Sequence, residues 1–208
     1  MMIKKADWSR ETKKIFNGIL LYSIAGILYG IFDPIESLTS TVSSISSYAG
    51  AGSMPGSGLI STICYALLVA IIFGYVLTFL GLTGFRTILE TNDANAIGKV
   101  RTAFILAIIA AGVGFIPLMG WVGGILNIVA FILMLLGYSA LKSSSTFPEL
   151  GRKGASTLFV ALILLLVGVV VGFIPFIGGI FNGILSIIAY IMTLLGWKKI
   201  VSAAVELQ

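Results

Sequence analysis

The side chains that could perform acid-base, nucleophilic or metal chemistry are few in this chain. It contains no histidine, which removes imidazole metal ligands, histidine acid-base catalysis and nucleophiles activated by histidine. Its single cysteine, Cys64, lies in an apolar stretch and is best interpreted as a small hydrophobic side chain. We therefore predict a protein that is not an enzyme, without catalytic residues, cofactors or metal ions.

Four oxygen-bearing side chains cluster in one polar connection: Glu90, Asn92, Asp93 and Asn95. Carboxylate and amide oxygens can bind cations, but the spacing lacks the glycine and the terminal bidentate glutamate of a calcium loop. We interpret this segment as a solvated turn.

Among the polar side chains inside the long apolar stretches, three are candidates for a polar lining or for contacts between helices: Asn127, Asn182 and Ser186. Transport of an ion or polar solute needs coordination near the bilayer centre, and none of the apolar stretches contains a charged residue. Hydrogen bonding between helices is therefore the preferred role of these three residues, and a polar lining is the alternative.

The elements that must position these side chains are apolar helices. Hydrophobic residues make up 58% of the 208 and charged residues 10%, against roughly 25% charged in soluble proteins. The uninterrupted apolar stretches are residues 15–32, 59–85, 102–116, 118–141, 155–174 and 176–197. Since about 20 apolar residues of helix cross the hydrocarbon layer, we predict an all-α integral membrane protein with six transmembrane helices in the lipid bilayer.

Two motifs alternate three times along the chain. The Phe-x-Pro motifs begin at Phe32, Phe115 and Phe173. The glycines of the Leu-Gly motifs are Gly81, Gly137 and Gly196. Gly137 follows Gly81 by 56 residues, and Gly196 follows Gly137 by 59. This period predicts three repeated helical hairpins of the same orientation, in contrast to the inverted repeats of many transporters.

Basic residues lie on only one side of the predicted helices. All 13 lysines and arginines lie before the first apolar stretch, after the last one, or in every second connection between them. The charged residues of the opposite connections are only Asp33 and Glu36. The positive-inside rule therefore predicts cytoplasmic N and C termini and a multi-pass protein of the cytoplasmic membrane. The net charge of +5 has the same explanation, so we predict no nucleic-acid partner.

The repeat predicts five parts of the chain. They are a basic cytoplasmic tail (1–14), a first hairpin (15–85), a second and a third hairpin with their leading connections (86–141 and 142–200), and a C-terminal tail (201–208). The first hairpin alone carries an outer insertion rich in serine and glycine, residues 33–58.

This insertion begins with a pattern typical of a helix start. A capping box with proline at the first helical position begins at Asp33. Four apolar side chains follow at helical spacing and form a candidate partner surface: Ile35, Leu38, Val42 and Ile45. We predict a separate amphipathic helix over residues 33–47 on the outer surface, followed by a flexible stretch at 49–58. Because serine and threonine are poor helix formers, a disordered loop is the alternative.

Small residues four apart occur in most of the apolar stretches and are typical of closely packed membrane helices. From this pattern we predict that Gly172 and Gly183 each lie against a neighbouring helix.

The segments that begin at Phe115 and Phe173 read Phe-Ile-Pro, continue with glycine three residues after the proline, and each lead to Leu-Leu-Gly. In this they are similar to uncharacterised small multi-span membrane proteins of archaea and bacteria, grouped as domains of unknown function. The resemblance covers about residues 96–200. It implies a prokaryotic origin and brings no activity or site residue with it.

These observations predict a structural or accessory membrane protein, a component of a larger assembly with other membrane proteins or copies of itself. The alternative is a passive channel or carrier for a small neutral or apolar solute. A water-filled cavity lined by the three polar residues would favour the alternative, and a dry centre packed with glycine and alanine would favour the structural role.

Overall fold

The computed structural model describes residues 5–48, 57–113, 116, 118–174 and 178–207. These residues form α1 (Lys5–Tyr48), α2 (Ser57–Ile88), α3 (Thr91–Val113), α4 (Gly120–Ser143), α5 (Glu149–Gly172), α6 (Gly178–Ser202) and a short 3-10 helix (Ala203–Glu206). All six α-helices are long and apolar enough to cross a membrane, which confirms the prediction of an all-helical, multi-span protein.

Helix α1 differs from the prediction of two separate helices. It runs without interruption for 44 residues and contains Pro34, so the capping box at Asp33 does not start a new helix. The segment 33–48 is helical as predicted, but its separation from the first transmembrane helix is wrong. Proline removes one backbone hydrogen-bond donor, but the helical turns before and after it keep their backbone hydrogen bonds. Of the stretch predicted to be flexible, residues 49–56 lie outside the described residues.

Serine and threonine hydroxyls in the polar segment of α1 find their hydrogen-bond partners within the helix. Thr39 Oγ1 donates to the Ile35 carbonyl at 2.7 Å, and Thr41 Oγ1 donates to the Ser37 carbonyl at 2.8 Å. Hydroxyls that bond back to the preceding turn are satisfied within a helix, at a small cost in helix stability. The disordered loop is therefore excluded for residues 33–48.

By its contacts the chain forms two compact units, Asn17–Thr78 and the remainder. Within Asn17–Thr78, α1 and α2 pack together. The Tyr22 and Tyr75 rings stack with centroids 4.7 Å apart, and Ser61 Oγ donates to Glu36 Oε1 at 2.6 Å. These contacts lie on both sides of Pro34 along α1 and hold the helix continuous.

In the other unit α3 packs on α4, α4 on α5, and α5 on α6. The turn between α3 and α4 contains Leu118 in a left-handed conformation, with φ of 68°. The C-terminal residues pack as well, since the Glu206 carboxylate accepts the Leu150 N–H at 2.9 Å in the first turn of α5. A carboxylate there satisfies a donor that the helix itself leaves unpaired.

An aromatic cluster lies at one end of this unit. Trp8, in the first turns of α1, contacts the rings of Phe85 and Phe147 and is fully buried. Its indole Nε1–H donates to the Ile200 carbonyl at 2.8 Å. Residues 5–14, which the sequence suggests are a tail, are thus helical and packed.

Candidate functional site

The three polar candidates of the apolar stretches do not come together as a set. Ser186 Oγ donates to Asn182 Oδ1 at 3.4 Å, one turn away on α6. Asn182 lies over Gly168 of α5, where an added Cβ would come within 2.8 Å of its Oδ1. Asn127 is exposed on α4 and makes no hydrogen bond with the described part of the chain. Asn182 therefore packs against α5, Ser186 is bonded to it within α6, and Asn127 is separate from both.

The candidate partner surface on α1 is exposed. Leu38 shows 68% of its surface, and Ile35 and Val42 each show 43%. The side chain of Ile45 lies outside the described residues. Glu36 and its bond to Ser61 occupy a different face of the helix, which is turned to α2. Three apolar side chains of the predicted surface thus share one uncovered face.

The glycines of the three Leu-Gly motifs lie in close contact with a neighbouring helix. Each glycine lies on the second helix of a consecutive pair and touches the main chain of the first. A Cβ on these glycines would meet Ile15 N at 2.8 Å from Gly81, Ala96 O at 2.8 Å from Gly137, and Gly154 O at 3.0 Å from Gly196. Contacts this short leave no room for any side chain, so the helices approach backbone to backbone.

The residues around these glycines are buried in the same pattern in all three helix pairs. The equivalent positions on the first helices are Ile15, Val100 and Leu158. Those on the second helices are Leu82, Tyr138 and Trp197, followed by Phe85, Leu141 and Ile200. All nine side chains are buried. The positions around the glycine of each Leu-Gly motif are therefore buried alike.

Of the two glycines that the small-residue spacing predicts to lie against a neighbouring helix, only Gly172 does so in the described part of the chain. Among the described residues, nothing lies within 4 Å of a Cβ added to Gly183, so that prediction is wrong. A Cβ on Gly172 would be 3.6 Å from the Asn182 amide nitrogen, an ordinary contact with a side chain. The spacing identifies helices that can approach closely, but it does not say which face of each helix meets a neighbour.

Asp93 is the polar residue whose environment sequence reasoning missed. It is only 3% exposed, and its Oδ2 accepts the Thr146 hydroxyl at 2.8 Å. The interpretation as a solvated turn is therefore wrong for Asp93, although Glu90, Asn92 and Asn95 are exposed. A signal was present, because Asp93, Ala96, Ile97 and Val100 follow the spacing of one helical stripe, and all four are buried.

Within the described residues, no group of three or more cysteine, aspartate or glutamate side chains is arranged to hold a metal ion. Comparison of the chain with protein-family models, with curated proteins and with solved structures found no significant match.

Proposed function

We propose that this protein is a structural or accessory component of a larger assembly in the cytoplasmic membrane of a prokaryotic cell, and not an enzyme. Its partner is another membrane protein that covers the exposed face of α1. The observation that carries the proposal is the length of α1 together with the apolar side chains near its C-terminal end.

Helix α1 has 44 residues, which corresponds to about 66 Å at 1.5 Å per residue. The hydrocarbon layer is only about 30 Å thick. Lipid tails therefore cannot cover the whole helix, and the segment with Ile35, Leu38 and Val42 is far along the chain from the basic residues of its first turns. An apolar face of this kind outside the lipid is best covered by a groove on a partner protein.

The contacts inside the helix pairs also support a structural role. Gly137 and Gly196 bring main chains together without space for a solute between them. Asn182 fills the surface of α5 over Gly168 rather than lining an opening. These contacts give less support to the alternative, a passive channel or carrier for a small neutral or apolar solute.

The same contacts support a construction from three hairpins of the same orientation. Each pair of consecutive helices has its glycine contact and its buried residues at matching positions. Hairpins of one orientation return each connection to the same side, in agreement with the one-sided distribution of lysine and arginine. We therefore place both termini in the cytoplasm.

This topology predicts which introduced cysteines react with an impermeant thiol reagent added to intact cells. In a Cys64→Ala background, Tyr48→Cys should label from outside, and Ser145→Cys should label only after the membrane is opened. Both positions are exposed, so accessibility to the reagent is set by the side of the membrane. Equal labelling of the two positions in intact cells would contradict the proposed orientation.

The partner surface predicts a position-dependent crosslink in native membranes. A photoreactive amino acid at Leu38 should give one adduct with a second membrane protein, and the same probe at Ser40 should not. Ser40 is also exposed, but it is polar and points to nearly the opposite side of the helix. Leu38→Asp should reduce a crosslink formed from Val42 at least fivefold while leaving the level of folded protein unchanged. Adducts with lipid alone, or only with a second copy of the chain, would contradict the proposed partner.

A further inference from the structure

A polar groove lies between the last turns of α2 and the first turns of α3. It is lined by Arg86 of α2, by Asn95, Gly98, Lys99 and Thr102 of α3, and by Leu133 of α4. The basic residues of this region are topological signals in the sequence, and the proposed structural role does not use them.

The geometry of α3 brings hydrogen-bond donors together in this groove. Asn95, Lys99 and Thr102 are four and then three residues apart and therefore share one face of the helix. Gly98 leaves a gap on this face, and Arg86 lies over it, with Nε 3.4 Å from the place where a Cβ would be. A guanidinium, an ammonium, an amide and a hydroxyl thus line one groove.

No carboxylate lines the groove. In the described part of the chain, the cations that form ion pairs are Arg10, Lys14 and Lys153, so Arg86 and Lys99 have no anionic partner. Arg101 lies two residues beyond Lys99, and its Nε is buried without an acceptor among the described residues. Its guanidinium carbon is 5.0 Å from the centroid of the Phe79 ring of α2. The α2–α3 contact region therefore holds more donors than acceptors, and an anion would complete it.

The groove also has an apolar side that points to the class of anion. Leu133 lines it, and Leu136, one turn further along α4, is 49% exposed. In a helix that crosses a membrane, an exposed apolar surface of this kind faces acyl chains. Basic pockets between transmembrane helices at the membrane surface bind anionic lipid headgroups.

We propose that this groove binds the phosphate of an anionic phospholipid. Arg86 and Lys99 neutralise the phosphate charge, and Asn95 and Thr102 donate to phosphate or glycerol oxygens. Leu133 contacts the beginning of an acyl chain. The proposal depends on the groove lying at a membrane surface, and not on the partner or on which side of the membrane this end occupies.

A second groove in the same molecule provides a matched control. It is lined by Lys142, Glu149, Arg152, Lys153 and Ser156 at the start of α5. There Lys153 Nζ is 2.6 Å from Glu149 Oε1, and Lys142 Nζ lies 3.8 Å from the centroid of the Phe159 ring. Both lysines already have partners and the Glu149 carboxylate lines this groove, so it should gain much less from a lipid phosphate, even though the buried Arg152 Nε has no acceptor among the described residues.

The test is native mass spectrometry of the full-length, detergent-solubilised protein titrated with phosphatidylglycerol. Arg86→Gln combined with Lys99→Gln should weaken the binding of the first lipid about 30-fold, since each basic side chain near a membrane surface contributes about 1 kcal/mol. Lys142→Gln combined with Lys153→Gln removes the same charge and should weaken it less than threefold. Both doubly substituted proteins should melt within about 2 °C of the parent, because the substituted side chains of the first pair are exposed and those of the second are only partly covered.

Two further titrations distinguish a lipid from a free anion and from general surface charge. Phosphatidylcholine should bind the parent at least tenfold more weakly than phosphatidylglycerol, and 10 mM inorganic phosphate should not displace the bound lipid. Equal losses in the two double variants would mean non-specific attraction and would overturn the proposal. Displacement by inorganic phosphate would show a site for a soluble anion, which would also overturn it.

Discussion

Replacement of Gly137 by leucine is expected to lower the melting temperature of the detergent-solubilised protein by about 10 °C. A Cβ at this position would stand 2.8 Å from the Ala96 carbonyl oxygen and 2.6 Å from Val100 Cγ2. The obstruction includes main-chain atoms of α3, so it cannot be removed by a change of rotamer. The two helices would have to separate, and overpacking of this kind costs roughly 1–3 kcal/mol or more even where side chains can yield.

Gly183→Leu is the matched control, because this glycine is also in an apolar helix but no atom of the described residues lies within 4 Å of its added Cβ. The control should melt within about 2 °C of the parent. Gly196→Leu should behave like Gly137→Leu, since it faces the Gly154 carbonyl oxygen at 3.0 Å. If Gly183→Leu lowers the melting temperature more than Gly137→Leu does, the described packing of the helix pairs is wrong. Fluorescence-detected thermal unfolding measures all three variants under one condition.

The existence of the helices could be predicted because it depends on composition alone. A run of some 20 apolar residues without charges has few alternatives to a membrane helix, as every backbone group must be paired within it. Helix ends are a different matter. Charged and polar residues at an end can continue a helix in water, so α3 begins at Thr91 although its apolar stretch begins at residue 102.

The error at Asp33 has a particular physical cause. The local pattern of acid, proline and glutamate is typical of a helix start, but it is equally compatible with a helix that passes through, because only one backbone bond is lost at Pro34. Contacts with α2 decide between the two outcomes, including the hydroxyl of Ser61 on Glu36. That partner is 25 residues away in the chain, and local sequence patterns do not reveal such pairings.

The candidate site residues also show that local sequence patterns do not reveal contacts between helices. The Leu-Gly motifs drew attention to Gly81, Gly137 and Gly196, and all three lie against the main chain of a neighbouring helix. Polarity alone was a poorer guide. Asn127 is exposed, whereas Asp93 is buried and bonded to Thr146. A polar type in an apolar stretch does not say which face of the helix it occupies, and that face is set by the neighbouring helices.

Packing at the N-terminal end of α1 leads to the second large effect. Trp8 is fully buried, with its ring centroid 4.7 Å from that of Phe85 and 5.3 Å from that of Phe147. Its Nε1–H donates to the carbonyl of Ile200 at 2.8 Å, in the last turns of α6, where carbonyls lack partners within the helix. A single side chain therefore joins α1 to α2, to the connection before α5, and to α6.

Trp8→Ala should lower the melting temperature by on the order of 10 °C, because truncation of a buried tryptophan costs roughly 3–5 kcal/mol. Trp8→Phe keeps most of the aromatic contact and loses the hydrogen bond, which contributes about 1 kcal/mol, so its decrease should be only ~3 °C. Trp121→Ala is the control, since Trp121 is 70% exposed. We expect the lowest melting temperature for Trp8→Ala, a clearly higher one for Trp8→Phe, and one close to that of the parent for Trp121→Ala. Melting of Trp8→Ala at the parent temperature would mean that residues 5–14 are a free basic tail, as the sequence alone suggests, and that the aromatic cluster does not form.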